Sequence, residues 1–208
     1  NIRLLTTGRE LLDLAKTSKS TKQKPLVMAN PAFTLLKDFR TQQEPDLIGN
    51  NIFQRRSGDL RNLSWSPLEG TAKEGKAIAE LTNAQFLTKN KATALAVQEL
   101  QEAPKVLHIA SHAEFLADQE KRENPLLRSY IVLAGANEPE ANPKDDGYLT
   151  ALEVTKLDWQ GTELVVISGC ESGKGDIQSG EGVYGLKRAI AVAGARSSLL
   201  SLWKVDDR

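Results

Sequence analysis

Glu163-Leu-Val-Val-Ile-Ser168 decides the fold. It is a short apolar run, rich in β-branched side chains, with no alternation of polar and apolar residues. A strand with one face in water alternates, whereas a strand covered on both faces reads as an unbroken apolar stretch. Leu26-Val-Met-Ala29, ended by Asn30-Pro31, and Lys105-Val-Leu-His-Ile-Ala110 have the same character. Residues 129–134 and 197–203 read as further strands, and Phe86-Leu87 as a short one. Helical patterns separate most of these runs. Strands of this type alternating with helices predict an α/β fold with a mostly parallel central sheet.

The helices are read from spacing and caps. After Thr71, residues Ala77, Ile78 and Leu81 form an apolar stripe, with Glu74 and Lys76 on the outer face. Residues 93–102 are rich in Ala and Leu and stop before Pro104. Residues 150–157 open with Thr150 as N-cap and Glu153 as its capping-box partner. Residues 183–192 form a helix with Gly194 as its C-terminal glycine. Residues 8–15 read as a short helix and 17–24 as a mobile basic loop. Residues 139–147 are turn-rich. Residues 37–69 hold no period and read as an irregular insertion.

Composition narrows the function. The 208 residues suit one domain, and Lys plus Arg (27) equal Asp plus Glu (27). A net charge of zero gives no support for bulk attraction to nucleic acid or an acidic membrane. No apolar run approaches the ~18 residues of a membrane span. Residues 1–10 lack the pattern of a signal peptide. A single cysteine rules out an intrachain disulfide and fits a reducing compartment, so the expected location is the cytoplasm. No cofactor is expected. The chain does not begin with Met and stops at Val205-Asp206-Asp207-Arg208, just after a strand-like run, so it reads as a piece of a longer protein.

In an open parallel sheet, sites form at the carboxyl ends of the strands. His112 lies two residues past the strand ending at Ala110, and Cys170 two residues past the strand ending at Ser168. If those strands are neighbours, both side chains emerge at one edge. Taken singly, each residue reads more readily as structural; their joint placement points to a nucleophile and its base. A thiol with a pKa of ~8.5 is only a few per cent thiolate at neutral pH, and a nearby imidazole can remove its proton. The same imidazole can then protonate a leaving amine. Backbone N–H groups near Cys170 and after His112 would form an oxyanion hole.

Several stretches resemble a known family. Leu107-His-Ile-Ala-Ser-His112 is similar to the "LHxATH" segment of CHAT domains, the caspase-like domains often joined to TPR repeats. Val165-Val-Ile-Ser-Gly-Cys170-Glu-Ser-Gly is similar to their "LVxLSACETG" segment. Gly180-Glu-Gly-Val-Tyr-Gly-Leu-Lys-Arg-Ala, Ala193-Gly-Ala and Ser201-Leu-Trp-Lys-Val-Asp-Asp207 resemble "GEGxxGLxRAFxxAGAxxVxxSLWxVDD". Asp146-Gly-Tyr-Leu-Thr-Ala-Leu-Glu153 resembles "DGxLTAxEI", and Leu5-Thr-Thr-Gly-Arg-Glu-Leu-Leu12 resembles the opening "LTSGRDLL". The resemblance runs in order along nearly the whole chain. It implies a caspase-like α/β/α sandwich over residues 1–208, and a cysteine endopeptidase with His112 as base and Cys170 as nucleophile. Its backbone oxyanion donors would be Ala113 and Cys170. It also implies a protein substrate, an upstream TPR region and a C-terminal catalytic part beyond the "VDD".

The sequence departs from the family pattern in places. Ala113 stands where members usually have Gly, and Gly169 where they usually have Ala. If position 113 needs a positive φ, Ala there would strain the oxyanion hole. Ser168 falls where relatives line the primary specificity pocket, and Asp206 and Asp207 could supply an acidic floor. These residues lean towards cleavage after a basic residue, and an end at Arg208 invites self-processing. His108 falls inside its strand; its spacing to His112 matches half of a zinc motif, but no Glu follows it and no third ligand is evident. The glycine-rich stretch 169–182 fails the P-loop template, because its Lys174 falls too close to the first glycine and is followed by Gly175. Two alternatives remain open: a catalytically silent scaffold, favoured by Ala113, and an acyl hydrolase or transferase with the same dyad.

Overall fold

The structure, a computed structural model, describes residues 21–35, 63–115, 124–142, 144–169, 176–178 and 182–201; for 125, 176–178 and 182–184 it describes the backbone path alone. The expected helix at 8–15, most of the segment 37–69, and Cys170, Asp206 and Asp207 lie outside these residues.

Five parallel strands form the central sheet, in the order β10-β7-β3-β1-β2. They are β1 (Leu26–Pro31), β2 (Gln85–Lys89), β3 (Val106–Ala110), β7 (Leu164–Ser168) and β10 (Ser198–Leu200). Every pairing between them is parallel. Cover on both faces explains the unbroken apolar runs of β1 and β3, whereas β7 buries Val165 and Ile167 and leaves Leu164, Val166 and Ser168 half-buried. One face presents Leu26, Met28, Leu107, Ile109, Val165 and Ile167 to a core shared with Val97, Val154, Trp159, Leu186 and Ile190. Those partners come from α2 (Ala94–Gln98), α3 (Ala151–Val154), α4 (Leu186–Val192) and a connecting turn. The other face of β1 and β3 presents Val27, Ala29, His108 and Ala110, and α1 (Glu69–Thr82) packs there. The molecule is therefore the three-layer α/β/α arrangement, with a mostly parallel sheet in the middle.

The face of α1 differs from the expected one. Thr71, Gly75 and Ala79 are its buried residues, spaced by four, while Ala77 is exposed and Leu81 is 85% exposed. Small side chains let the helix lie almost on the sheet: a Cβ on Gly75 would fall 2.3 Å from Ala29 Cβ. At that distance the neighbouring Glu74, expected to face outward, reaches the sheet surface and keeps only about a third of its side chain in water. Lys76 points outward as expected, with 71% of its side chain exposed.

A second sheet was not foreseen. β4 (Ala113–Phe115), β5 (Ser129–Val132) and β6 (Tyr148–Thr150) pair antiparallel in that order. The run read at 129–134 thus forms a strand, but outside the central sheet. Its side chains are also buried on both faces: Ile131 and Leu149 enter the main core, while Tyr130, Val132 and Tyr148 join Phe33 and Trp65 in an aromatic cluster. A continuous apolar run reports burial on both faces and not the direction of pairing.

The remaining elements refine the boundaries. β1 continues through Pro31, with a register irregularity where Asn30 takes φ 50°. Thr150 and Glu153 make the expected capping box at α3. The helix expected at 183–192 begins only at Leu186, because 182–184 pair with 176–178 as a hairpin of β8 (Asp176–Gln178) and β9 (Gly182–Tyr184). At the end of α4, Gly194 has φ 100°, its N–H bonds to Ala191 O and the next N–H bonds to Ile190 O. That paired geometry terminates a helix at a left-handed glycine, as expected. No helix among the described residues is long and apolar enough to cross a membrane.

Candidate functional site

The register of β3 against β7 sets the site. The two strands are neighbours, and Ala110 pairs with Ser168 at their carboxyl ends. Ser111 N–H continues the ladder to Ser168 O at 3.1 Å. Beyond this rung the strands part: residues 113–115 turn away to pair with β5, and β7 leads to Cys170. His112 and the residue before Cys170 therefore leave the sheet at one rim. Gly169 lies hard against the segment that carries His112. A Cβ on it would stand 2.5 Å from Ser111 O, 3.0 Å from Ala113 Cβ and 3.1 Å from Ala113 N. From the other side, Ser201 donates a hydroxyl hydrogen bond to Gly169 O.

His112 is held on several sides. Its carbonyl accepts from Val132 N at 2.8 Å, which anchors the backbone to β5. Its ring lies against Phe33, at a centroid distance of 5.2 Å, and against Trp65, at 5.0 Å. Its Nε2 lies 2.9 Å from Ser66 O. A carbonyl only accepts, so Nε2 carries the proton and donates, and Nδ1 of a neutral ring keeps its lone pair. The ring thus presents a basic nitrogen while its other nitrogen is fixed by the backbone.

The platform under the ring was invisible in the motif reading. Trp65 and Ser66 belong to the stretch read as an insertion; residues 63–68 have no regular structure, yet Trp65 is buried. Its indole N–H donates to Tyr148 Oη at 2.9 Å, and its backbone N–H to Asn137 Oδ1 at 2.7 Å. Asn137 also donates from Nδ2 to Trp65 O and to Thr34 Oγ1, and its N–H bonds to Phe33 O. One asparagine side chain thus ties together the two segments that flank the imidazole. Burial pushes the Tyr130 phenol, which stacks edge-on against Trp65, above its ordinary pKa and keeps it neutral.

Ala113 is not strained, because its φ is not among the positive ones in the described residues. It sits opposite Ile131, between the His112–Val132 hydrogen bond and the next pair along the ladder. In an antiparallel pair this is a non-hydrogen-bonded position, so the Ala113 N–H does not point at β5. The nitrogen lies on the side facing Gly169.

Ser168 Oγ donates to Glu74 Oε2 at 3.1 Å, and His108 Nε2 donates to Glu74 Oε1 at 3.0 Å. His108 is buried, and about a third of the Glu74 side chain is exposed. The bond from His108 holds the Glu74 carboxyl below its ordinary pKa; burial opposes it, and the Ser168 hydroxyl and the nearby imidazole add to the lowering. His108 and His112 thus have separate partners. The described residues hold no group of three or more side chains suited to a metal ion.

The Asp145-Asp146-Gly147 turn is structural. Asp145 accepts from Leu95 N at 2.7 Å and from Gly147 N at 2.9 Å, so it caps α2 and closes its own turn. Gly147 has φ 79°, and a Cβ there would fall 2.2 Å from Ala136 N. No curated protein matches the chain. The family model for the CHAT domain matches residues 1–208. The α/β/α layering, the adjacent strands that bear the two family segments, and a match along the full length agree, and the chain belongs to the CHAT domain family, a caspase-like family associated with cysteine peptidases.

Proposed function

We propose that the domain is a cysteine endopeptidase in which His112 and Cys170 form the dyad. The observation that supports this most directly is the pairing of Ala110 with Ser168 on adjacent strands, with Gly169 packed against residues 111–113. In the proposed reaction, His112 Nδ1 takes the thiol proton and the thiolate attacks the peptide carbonyl carbon. The Ala113 and Cys170 N–H groups stabilise the oxyanion. Collapse of the tetrahedral adduct expels the amine, which takes the proton from the imidazolium. Water then hydrolyses the thioester, again with His112 as base.

The substrate is a protein, recruited by TPR repeats elsewhere in the polypeptide and cut after a basic residue. Ser168 and the acidic residues Asp206 and Asp207 would line that pocket. The silent-scaffold alternative loses its main support, since Ala113 occupies an unstrained strand position. The test is peptide cleavage with libraries varied at the residue before the scissile bond. Cleavage abolished by both Cys170→Ala and His112→Ala is the expected result; a His112→Ala protein as active as wild type sinks the dyad.

A further inference from the structure

Glu74 takes no part in the chemistry above, yet it touches both strands that lead to the dyad. One carboxylate oxygen accepts from His108, four residues before His112, and the other from Ser168, two residues before Cys170. We infer that Glu74 is a positioning residue: by clamping Ser168 to His108 it fixes the carboxyl end of β7 against β3, and so sets how the residue-170 thiol meets His112. The inference rests on the proposed dyad.

The location of the clamp carries the case. Ala110–Ser168 is the last paired rung of β3 and β7, and beyond it β4 turns to β5. Ser168 is therefore the last position on β7 that β3 holds by main-chain pairing before residue 170. The clamp acts at that rung. Its third anchor is α1, which cannot retreat easily: Gly75 lies on Ala29, and Thr71 Oγ1 accepts from Asn30 N at 3.1 Å. The lead into the same helix supplies Trp65 and Ser66 to the His112 ring. One element thus reaches the base through its lead and the nucleophile's strand through Glu74. The chemistry suits a clamp, because an ionised carboxylate accepts two hydrogen bonds at once, one on each oxygen. Among the described residues, His108 is the one side chain in ion-pair contact with Glu74, so the carboxylate is not spent on a lysine or arginine.

The chain has a single cysteine, so alkylation by iodoacetamide reads residue 170 alone. Iodoacetamide carries no peptide side chain, and effects on a specificity pocket do not enter. The experiment measures the alkylation rate of the full chain against pH. A dyad thiol reacts with a midpoint well below the ~8.5 of a free cysteine. Ser168→Ala and Glu74→Ala are each expected to raise that midpoint and to slow alkylation at pH 6.5 by about tenfold. The double variant should be no slower than the slower single one, as expected for two ends of one contact. Glu74→Gln, whose amide can accept from His108 and donate to Ser168, should recover most of the rate. Ser168→Ala removes one oxygen and keeps the fold testable if Glu74→Ala does not fold. A wild-type profile in Ser168→Ala overturns the clamp while a shifted profile in His112→Ala leaves the dyad standing. A wild-type profile in His112→Ala, or a free-cysteine profile in the wild type, removes the dyad and the clamp together.

Discussion

At the scale of single residues, the site depends on a methyl group placed on one side of a contact and missing from the other. Ala113 Cβ would lie 3.0 Å from a Cβ at position 169, and Ser111 O would lie at 2.5 Å. The family pattern has the small and the very small residue the other way round, and here the two positions have exchanged them. Gly169→Ala must push the backbone oxygen of Ser111 aside, which is not the flexible end of a side chain. Overpacking of this kind costs about 1–3 kcal/mol, and the expected result is a lower melting temperature together with slower alkylation of Cys170. Ala113→Gly in that background relieves the Cβ contact but not the one to Ser111 O, so it should restore only part of the loss. Full restoration by the pair would mean that the backbone contact carries no weight. Trp65 makes a second residue-level case. Its ring covers one side of His112 and its indole N–H holds Tyr148. Trp65→Ala removes a buried aromatic ring, with a typical loss of about 3–5 kcal/mol, readable by urea unfolding; peptide cleavage should fall further than the folded fraction does.

At the scale of elements, α1 shows what periodicity reveals and what it hides. The helix was legible from its spacing, but its orientation was not. An apolar count favours Ala77, Ile78 and Leu81, whereas the sheet accepts Thr71, Gly75 and Ala79, because close approach selects for small side chains rather than greasy ones. The same closeness turns Glu74 inward. Gly75→Ala therefore sets two effects against each other. Helix propensity favours Ala by about 0.8–1 kcal/mol, but the new Cβ would lie 2.3 Å from Ala29 Cβ and 3.1 Å from the Phe86 ring. Neither the Ala29 methyl nor the buried strand beneath it can swing away, so the clash wins and the variant is less stable by thermal melting. A gain in stability would mean that helix propensity outweighs the contact with Ala29. The capping box of α3 was legible outright, since Thr150 and Glu153 are three apart and need only each other. Thr150→Ala should cost about 1 kcal/mol by chemical denaturation.

At the scale of the whole molecule, the central sheet could be read because β1 and β3 are covered on both faces and β7 carries an unbroken apolar run beside them, although β2, β7 and β10 keep half-buried or exposed positions. The antiparallel sheet could not, because Ser129–Val132 carries the same mark for a different reason: one face lies on the main core and the other on the aromatic cluster under His112. The positions proposed for the base and the nucleophile were read from strand ends, whereas the Ser66 carbonyl, Asn137 and Glu74 left no such sign. Each of these acts through a contact made across long stretches of chain, and a backbone carbonyl leaves no mark in sequence at all. The contact that spans the layers, from α1 to β3 and β7 through Glu74, also gives the fold a pH dependence with a definite sign. The Glu74 carboxyl is held below its ordinary value of 4.5 in the folded chain, chiefly by the bond from His108. An acid with a depressed folded pKa binds fewer protons folded than unfolded, so its contribution is complete above the unfolded value and disappears as pH falls through the folded one. The melting temperature of Glu74→Gln should therefore lie below that of wild type near neutrality, and the gap should close as pH drops below about 4.5. Other carboxylates titrate in both proteins and cancel in the difference. A gap that stays constant from about pH 7 to pH 3 would show that the carboxylate's charge contributes nothing and that the shape of the side chain alone joins the layers.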